Sequence, residues 1–277
     1  LKRDLIVDGK YLSEYIKGVS LASFRPESPS FERESISSHP LWNGVSMYEK
    51  STAGKYAARK ITVKINVIAH NASQFDVKRD AVYAFFTSRS PYYVIDTRQP
   101  YKRWLVISDD ASYSIYLENG KPYQEVDITL TAIQGLAESL HDSTASMELI
   151  DENFHLGMNI RRGSTPVYQF KNKNSFIVDN IGDERLDPVN YKYNVEMFLQ
   201  GTDISITNTR TNETLTLNGK YSNKDKITLL SHHILKNSTP ISDRTGRFPT
   251  LEPGENKFRI TGATSSNIKF ITHFYYK

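Results

Sequence analysis

The 277-residue chain has no cysteine, no apolar run approaching 18 residues and no glycine-rich phosphate loop. Without cysteine, neither disulfides nor thiolate metal sites can contribute, so stability must come from packing. Without a long apolar run there is no candidate for a spanning helix and no expected membrane partner, in keeping with a mean hydropathy of −0.50. The G-x-S-x-G and H-E-x-x-H patterns are missing too, which removes the nucleophile elbow and the zinc-hydrolase helix. Nor does either half carry a block of one charge. The formal charge is +4, but Lys plus Arg against Asp plus Glu is 18 to 17 over residues 1–145 and 17 to 14 over 146–277. The longest basic clusters are pairs, such as those at 59–60, 78–79, 102–103 and 161–162, so a phosphate-tracking surface is not expected.

What the chain has in quantity is short alternating segments. "KITVKINVIA" (60–69) puts Ile61, Val63, Ile65 and Val67 on one face and Thr62, Lys64 and Asn66 on the other, the period of a half-buried strand. The pattern recurs at 104–107, 123–133, 202–208, 213–219 and 267–277. Asp8-Gly9, Asn43-Gly44, Asn119-Gly120 and Asn218-Gly219 are dipeptides that accept the positive φ of tight turns, which predicts antiparallel hairpins. In "FPTLEPGENKFRITGA" (248–263), Pro253-Gly254 marks another turn, followed by Lys257 and Arg259 on one side and Phe258 and Ile260 on the other. The chain therefore reads as mainly β.

One segment departs from that period. In "SQFDVKRDAVYAFFTSR" (73–89), Phe75, Val82, Phe85 and Phe86 fall at helical spacing, and Ser73 with Asp76 resembles a capping box. The spacing predicts one helix of about four turns whose phenylalanines pack in a core. Residues 24–54 mix three prolines with serines and charges and read as a long loop or projecting hairpin, a length that in compact domains usually serves interaction. The small polar stretch "GLAESLHDSTAS" (135–146) interrupts the patterning and sets a domain boundary, giving domains 1–143 and 144–277.

Candidate chemistry is sparse, and neither a catalytic site nor a cofactor or metal is expected. Of seven histidines only the neighbours His232 and His233 invite attention, and on a strand they would point to opposite faces and could not share a metal. Asp109-Asp110, Asp151-Glu152 and Asp183-Glu184 are sequence neighbours in expected turns, unlike carboxylates that face each other across a sugar. A carbohydrate-binding accessory protein, recognising a cell-wall polysaccharide, is the alternative worth carrying. Its aromatic candidates are Trp42 and Trp104 in the first half, and Tyr168, Tyr191, Tyr193, Tyr221, Tyr275 and Tyr276 in the second.

The order of these pieces resembles the distal tail protein of siphophages. The resemblance rests on "RKITVKINVIAHNASQFDVKRDAVYAFFTSRSPYYVID" (59–96), on the Asn-x-Gly turn and following proline in "FIVDNIGDERLDPVNYKYNV" (176–195), and on "LEPGENKFRITG" (251–262), similar to a hairpin that closes the family's sandwich. It implies an N-terminal β-sandwich with one α-helix and a projecting hairpin or loop, and a C-terminal galectin-like or jelly-roll β-sandwich. It also implies a homohexameric ring in the virion, at the distal end of the tail, assembled in the host cytoplasm. The implied partners are the tail tube protein, the tape-measure protein, a tail-associated lysin or tip protein and receptor-binding or baseplate proteins, with DNA only as cargo. The projecting arm, with Pro40, Leu41, Trp42, Asn43 and Gly44 at its tip, is the expected subunit interface.

Overall fold

The structure is a computed structural model that describes residues 3–33, 35–36, 46–47, 54–108, 115, 123–148, 151–161, 163 and 165–277. In chain order the elements are β1 (Leu5–Val7), β2 (Lys10–Tyr11), α1 (Leu12–Tyr15), β3 (Val19–Pro26), β4 (Phe31–Arg33), β5 (Ser35–Ile36), β6 (Ser46–Met47), β7 (Gly54–Tyr56), β8 (Arg59–Ile68), α2 (Ala72–Phe86), β9 (Tyr92–Asp96), β10 (Lys102–Ser108), β11 (Tyr123–Ala132) and β12 (Ala137–Ser139). A 3-10 turn (Leu156–Met158) then precedes β13 (Gln169–Lys171), β14 (Ser175–Asn180), β15 (Tyr193–Asn208), β16 (Glu213–Tyr221), β17 (Lys226–Leu230), β18 (His233–Lys236), β19 (Thr239–Pro240), β20 (Arg244–Gly246), β21 (Gly254–Thr272) and β22 (Tyr275–Tyr276). The fold is mainly β, and the chain divides into two compact units, residues 1–138 with 277, and 139–276.

The first unit is built on an antiparallel sheet ordered β2-β1-β9-β10-β11-β8-β3. Its longest ladder joins β8 to β11 in register from Ile68↔Tyr123 to Arg59↔Ala132. Strict alternation along both strands sends Ile61, Val63, Ile65, Val67, Ile128 and Leu130 to one face, where all are fully buried. The helix α2 lies beside β8 and adds Phe75, Val82 and Phe86, also fully buried, to this core. Phe85, expected on the same stripe, is only half buried and instead meets Tyr15 at 5.2 Å between ring centroids.

Local chemistry explains where these elements begin. The β1–β2 hairpin closes through Asp8 and Gly9 at φ 44° and 79°, between paired Val7 and Lys10, as the Asp-Gly signal predicts. The helix α2 is capped by Asn71, not Ser73: the Asn71 side chain accepts from Gln74 N at 2.8 Å while Gln74 Oε1 accepts from His70 N at 2.7 Å. The cap lies two residues earlier than expected and resembles a capping box, except that Gln74 reaches back to the N–H of His70 rather than to that of the cap residue Asn71. A second, four-residue helix, α1, was not expected. Its cap comes from a distant side chain, the buried Asp4, which accepts from Ser13 Oγ at 2.6 Å and from Ser13 N.

The second unit centres on two long strands, β15 and β21, paired from Tyr193↔Thr272 to Asn208↔Phe258. The sheet order is β13-β21-β15-β17-β18-β19, with β14 also on β21, and β16 and β20 continuing from β15. Both long strands break register near Gly201 and Gly262. A Cβ on Gly201 would lie 2.1 Å from Gly262 O, and one on Gly262 would lie 2.6 Å from Asp203 O, so the close crossing requires glycine at both positions. The core is aromatic: Phe176 stacks on Phe170 at 4.1 Å and on Phe258 at 5.6 Å, with Phe270 edge-on to Phe258 at 5.4 Å.

Two turn expectations change in this unit. Pro253-Gly254 does start β21, but the segments on either side do not form a hairpin with each other. Leu251 bridges to Leu186 while β21 pairs with β14 and β15. Asn218-Gly219 lies inside β16, where Gly219 N donates to Asp203 Oδ1 at 2.8 Å, opposite the register shift in β15. Its positive φ serves that irregularity rather than a chain reversal.

Candidate functional site

The strands β4 and β7 pair from Phe31↔Tyr56 to Arg33↔Gly54, and β5 and β6 pair at Ser35↔Met47 and Ile36↔Ser46. The two ladders are nested between β3 and β8, with the β5–β6 pair inside the β4–β7 pair, and make an antiparallel arm. At its root Phe31 meets Tyr56 edge-on at 5.0 Å, and Ala57 N donates to Ser30 O at 3.0 Å. The Arg59 guanidinium lies 5.0 Å over the Trp104 ring and donates from Nε to Glu27 O. Burial lowers the Arg59 pKa despite the attraction of Glu27, and its Nη1 is buried without a hydrogen-bond partner among the described residues. The sequence-selected tip, Pro40 to Gly44, lies outside the described residues.

The face of the first sheet opposite its core divides in two. Across β2, β1 and β9, Tyr11 pairs with Ile6 and Ile6 with Ile95. One row on, Tyr93 pairs with Leu105, and Ile133 N donates to Leu105 O. None of these six side chains is buried, and Tyr11 and Ile133 are 42% and 40% exposed. Over β11 and β8 the same face turns polar: Thr129 pairs with Thr62, and Lys64 lies 3.7 Å from both Glu125 and Asp127. The Tyr11 and Tyr93 rows are not purely apolar, since the Arg103 guanidinium lies 4.2 Å over the Tyr93 ring; larger exposed apolar patches are characteristic of protein–protein interfaces.

Across β15 and β16 the outward face of the second sheet carries hydroxyls instead, while Ile177 and Leu230 are exposed elsewhere on it. Ser205 and Thr216 face each other at 2.9 Å, as do Thr207 and Thr214. Behind the face, three buried asparagines hold the segment that contains Pro253-Gly254. Asn256 accepts from Glu252 N at 2.9 Å and donates to Glu252 O at 2.7 Å and Gly254 O at 2.8 Å. Asn208 donates to Thr250 O at 2.8 Å, and Asn180 donates to Leu251 O at 3.1 Å. Glu213 completes the clamp by accepting from Thr250 N at 2.8 Å and Thr250 Oγ1 at 2.6 Å, with Arg185 at 3.0 Å and Arg247 beside it. Burial alone would raise the Glu213 carboxyl, but the Thr250 and Arg247 hydrogen bonds outweigh it and hold the pKa below the ordinary 4.5. Asparagine reads as a loop residue in sequence, so this network gave no signal beyond the turn it pins.

The other sequence candidates end in structural roles. His232 and His233 do not point apart: Ser231 at φ 54° puts His232 in the turn before β18, and the two rings lie 3.9 Å apart. No group of three or more His, Cys, Asp or Glu side chains among the described residues could hold a metal. The proposed aromatic platforms are mostly core. Trp104, Tyr168, Tyr193, Tyr275 and Tyr276 are each at most 6% exposed, and Tyr191 meets Tyr275 in a tilted contact at 4.4 Å. Burial pushes the Tyr168 and Tyr193 hydroxyls well above the ordinary tyrosine range. Tyr221 lies beside a surface cleft. No helix among the described residues is long and apolar enough to cross a membrane.

Comparison with known proteins places this architecture. No curated protein matches the chain. The sequence profile of the phage tail protein RIFT-related domain matches residues 25–132, the span from the end of β3 through the arm, β8, α2 and β9 to β11. Among solved structures, the Dit protein (gp 19.1) of phage SPP1, described as a paradigm of hub adsorption apparatus in Gram-positive infecting phages, aligns with a TM-score of 0.66 at 11% identity. The alignment covers 98% of this chain and 99% of that one. Two structures of the phage p2 baseplate in its activated conformation, one with strontium and one with calcium, align at 9% identity. They cover 97% and 98% of both chains, but their TM-scores of 0.41 and 0.36 are too low to bear on the fold. Residues 25–132 thus form a phage tail protein RIFT-related domain, within a chain that has the fold of Dit over its length.

Proposed function

We propose that the chain is the distal tail hub of a phage with a long non-contractile tail, a structural virion protein that joins the tail tube to the tail tip or baseplate. The observation that carries this reading is the end-to-end correspondence with the Dit fold, joined to a tail-protein domain at residues 25–132. Six copies closing head to tail would form a ring, with residues 1–143 as the ring-forming domain and residues 144–277 as an outward galectin-like domain. Its neighbours would be the tail tube, tape-measure, tip or lysin and receptor-binding proteins, with DNA passing through. No catalytic step is assigned to it. Two features support an assembly role: the nested arm leaving the first sheet, and the open apolar face around Leu105 and Ile133. Area and shape complementarity are what such a hub requires.

The test is solution mass by light scattering over a wide concentration range. The expected species is near 190 kDa, about six times the 31.7 kDa chain. Deleting residues 40–44 is expected to abolish that species while leaving the circular dichroism spectrum unchanged. A monomer at every concentration, with the tail tube protein also present, would overturn the ring.

A further inference from the structure

Beyond the hub reading, and independent of it, the second unit holds a cleft of about 430 Å³ at the end of β16 and beneath the β18–β19 turn. Its size lies within the range of small-molecule sites. Its wall is pre-organised. Asn237 and Ser238 both have positive φ, 49° and 71°, between paired Lys236 and Thr239, which sets a tight turn. The Asn237 side chain is fully engaged, accepting from Lys226 N at 2.9 Å and donating to Asp225 Oδ1 at 3.2 Å. Lys236 Nζ is fixed 3.1 Å from Asp225 and 4.9 Å from the centre of the Tyr221 ring.

Against this wall stands a set of polar groups, of which Thr239, Ser242 and Asp243 are exposed. Asp243 accepts from Asn218 Nδ2 at 2.8 Å through Oδ1, which leaves Oδ2 open. The hydroxyls of Tyr221, Thr239 and Ser242 make no hydrogen bond among the described residues. Pro240 and Ile241 supply an apolar side. Three groups that can both donate and accept, one that only accepts and an apolar wall match a compact ligand bearing several hydroxyls on a hydrocarbon ring. Of the two charged lining residues, Lys236 is paired with Asp225 at 3.1 Å, whereas Asp243 has no ion pair among the described residues, so the free carboxylate disfavours an anionic guest.

We propose that this cleft binds the terminal neutral pyranose of a glycan. Asp243 Oδ2 accepts from ring hydroxyls, the Tyr221, Thr239 and Ser242 hydroxyls complete the polar contacts, and the C–H face of the sugar rests on Ile241. The site differs from the stacked-aromatic platform expected from sequence, because Tyr221 is only 9% exposed and offers its hydroxyl rather than an open ring face.

Saturation-transfer NMR and titration calorimetry on the full chain test it, with the methyl glycosides of glucose, galactose and N-acetylglucosamine as probes and methyl glucuronide as the charged control. At least one neutral glycoside is expected to bind saturably, with the glucuronide about tenfold weaker. Tyr221→Phe removes only the hydroxyl and Ser242→Ala lies on the surface, so both keep the fold; each is expected to weaken binding by about fivefold or more. Asp243→Asn is expected to weaken the neutral sugar and to narrow its advantage over the glucuronide. No saturable binding of any neutral glycoside, glucuronide binding equally well, or binding unchanged in all three variants would overturn the site. Light scattering on the same samples keeps the two readings apart, since loss of sugar binding leaves the ring mass untouched and a monomeric mass leaves the titration interpretable.

Discussion

The two sheets obey the same pleat and use it for different ends. In both, alternation fills the inner face with side chains that exclude water: Val63, Ile65 and Ile128 in the first unit, Phe258 and Phe270 in the second. The outer faces diverge. The first leaves Tyr11 and Ile133 exposed beside half-buried Ile95 and Leu105, while the second, across β15 and β16, presents the Ser205–Thr216 and Thr207–Thr214 pairs. A hydroxyl pair satisfies its own hydrogen bonds and tolerates water on its other side; an open row of aliphatic and aromatic side chains gains only when something covers it. Burial inside a unit and exposure outside it therefore carry separate information, one about folding and the other about association.

The sharpest way to break this comparison is to place the same charge on both faces of the first sheet. Ile128→Asp, at a fully buried position, is expected to cost more than about 4 kcal/mol and to abolish cooperative urea unfolding. Ile133→Asp, at a position 40% exposed, should change stability by no more than about 0.5 kcal/mol. Similar losses from both would mean that the outer face is part of the folding core. In the second unit, Phe258→Ala is expected to cost about 3–5 kcal/mol by urea denaturation, because it empties the middle of the aromatic stack.

The clamp on the 250–256 segment gives a pH-dependent comparison. The Glu213 carboxyl is held below 4.5 in the folded chain, so its contribution is fully present above that value and is lost as pH falls through the depressed native pKa. Wild type should exceed Glu213→Gln in stability at neutral pH, with the difference closing below about pH 4. A gap that stayed constant down to pH 2 would show that the carboxylate charge is irrelevant to the clamp. Smaller still, Asn71→Ala should cost about 1 kcal/mol by removing the α2 cap, whereas Ser73→Ala should cost almost nothing. The smallest effect is expected on the second outer face. Replacing Thr207 and Thr214 together with valine removes both members of a hydrogen-bonded pair and should be nearly neutral in urea unfolding.

Much of the fold was legible because period and turn chemistry are local. The β8 and β11 alternation, the helical spacing of Phe75, Val82 and Phe86, and the Asp8-Gly9 hairpin can each be read from fewer than twenty residues. What could not be read were polar groups acting at long range. Asp4 caps a helix nine residues on from across a hairpin, and Asn180, Asn208 and Asn256 meet around one turn from positions up to 76 residues apart. The cleft at Asp243 is of the same kind, since Tyr221, Lys236 and Asp243 come together only when β16, β18 and the loop before β20 are adjacent.

By itself the sequence determined the class of this protein: mainly β, one long amphipathic helix, no cysteine, and alternation strong enough to assign faces to the longer strands such as β8 and β11. It also determined that Pro253-Gly254 is a turn, because Pro restricts φ and Gly accepts positive φ whatever surrounds them. The tertiary structure alone decided what that turn joins, which strands become neighbours, and which outer face is left apolar. Periodicity is a property of one segment, whereas pairing, burial of polar groups and the meeting of distant side chains are properties of segments brought together by the packing of the whole unit.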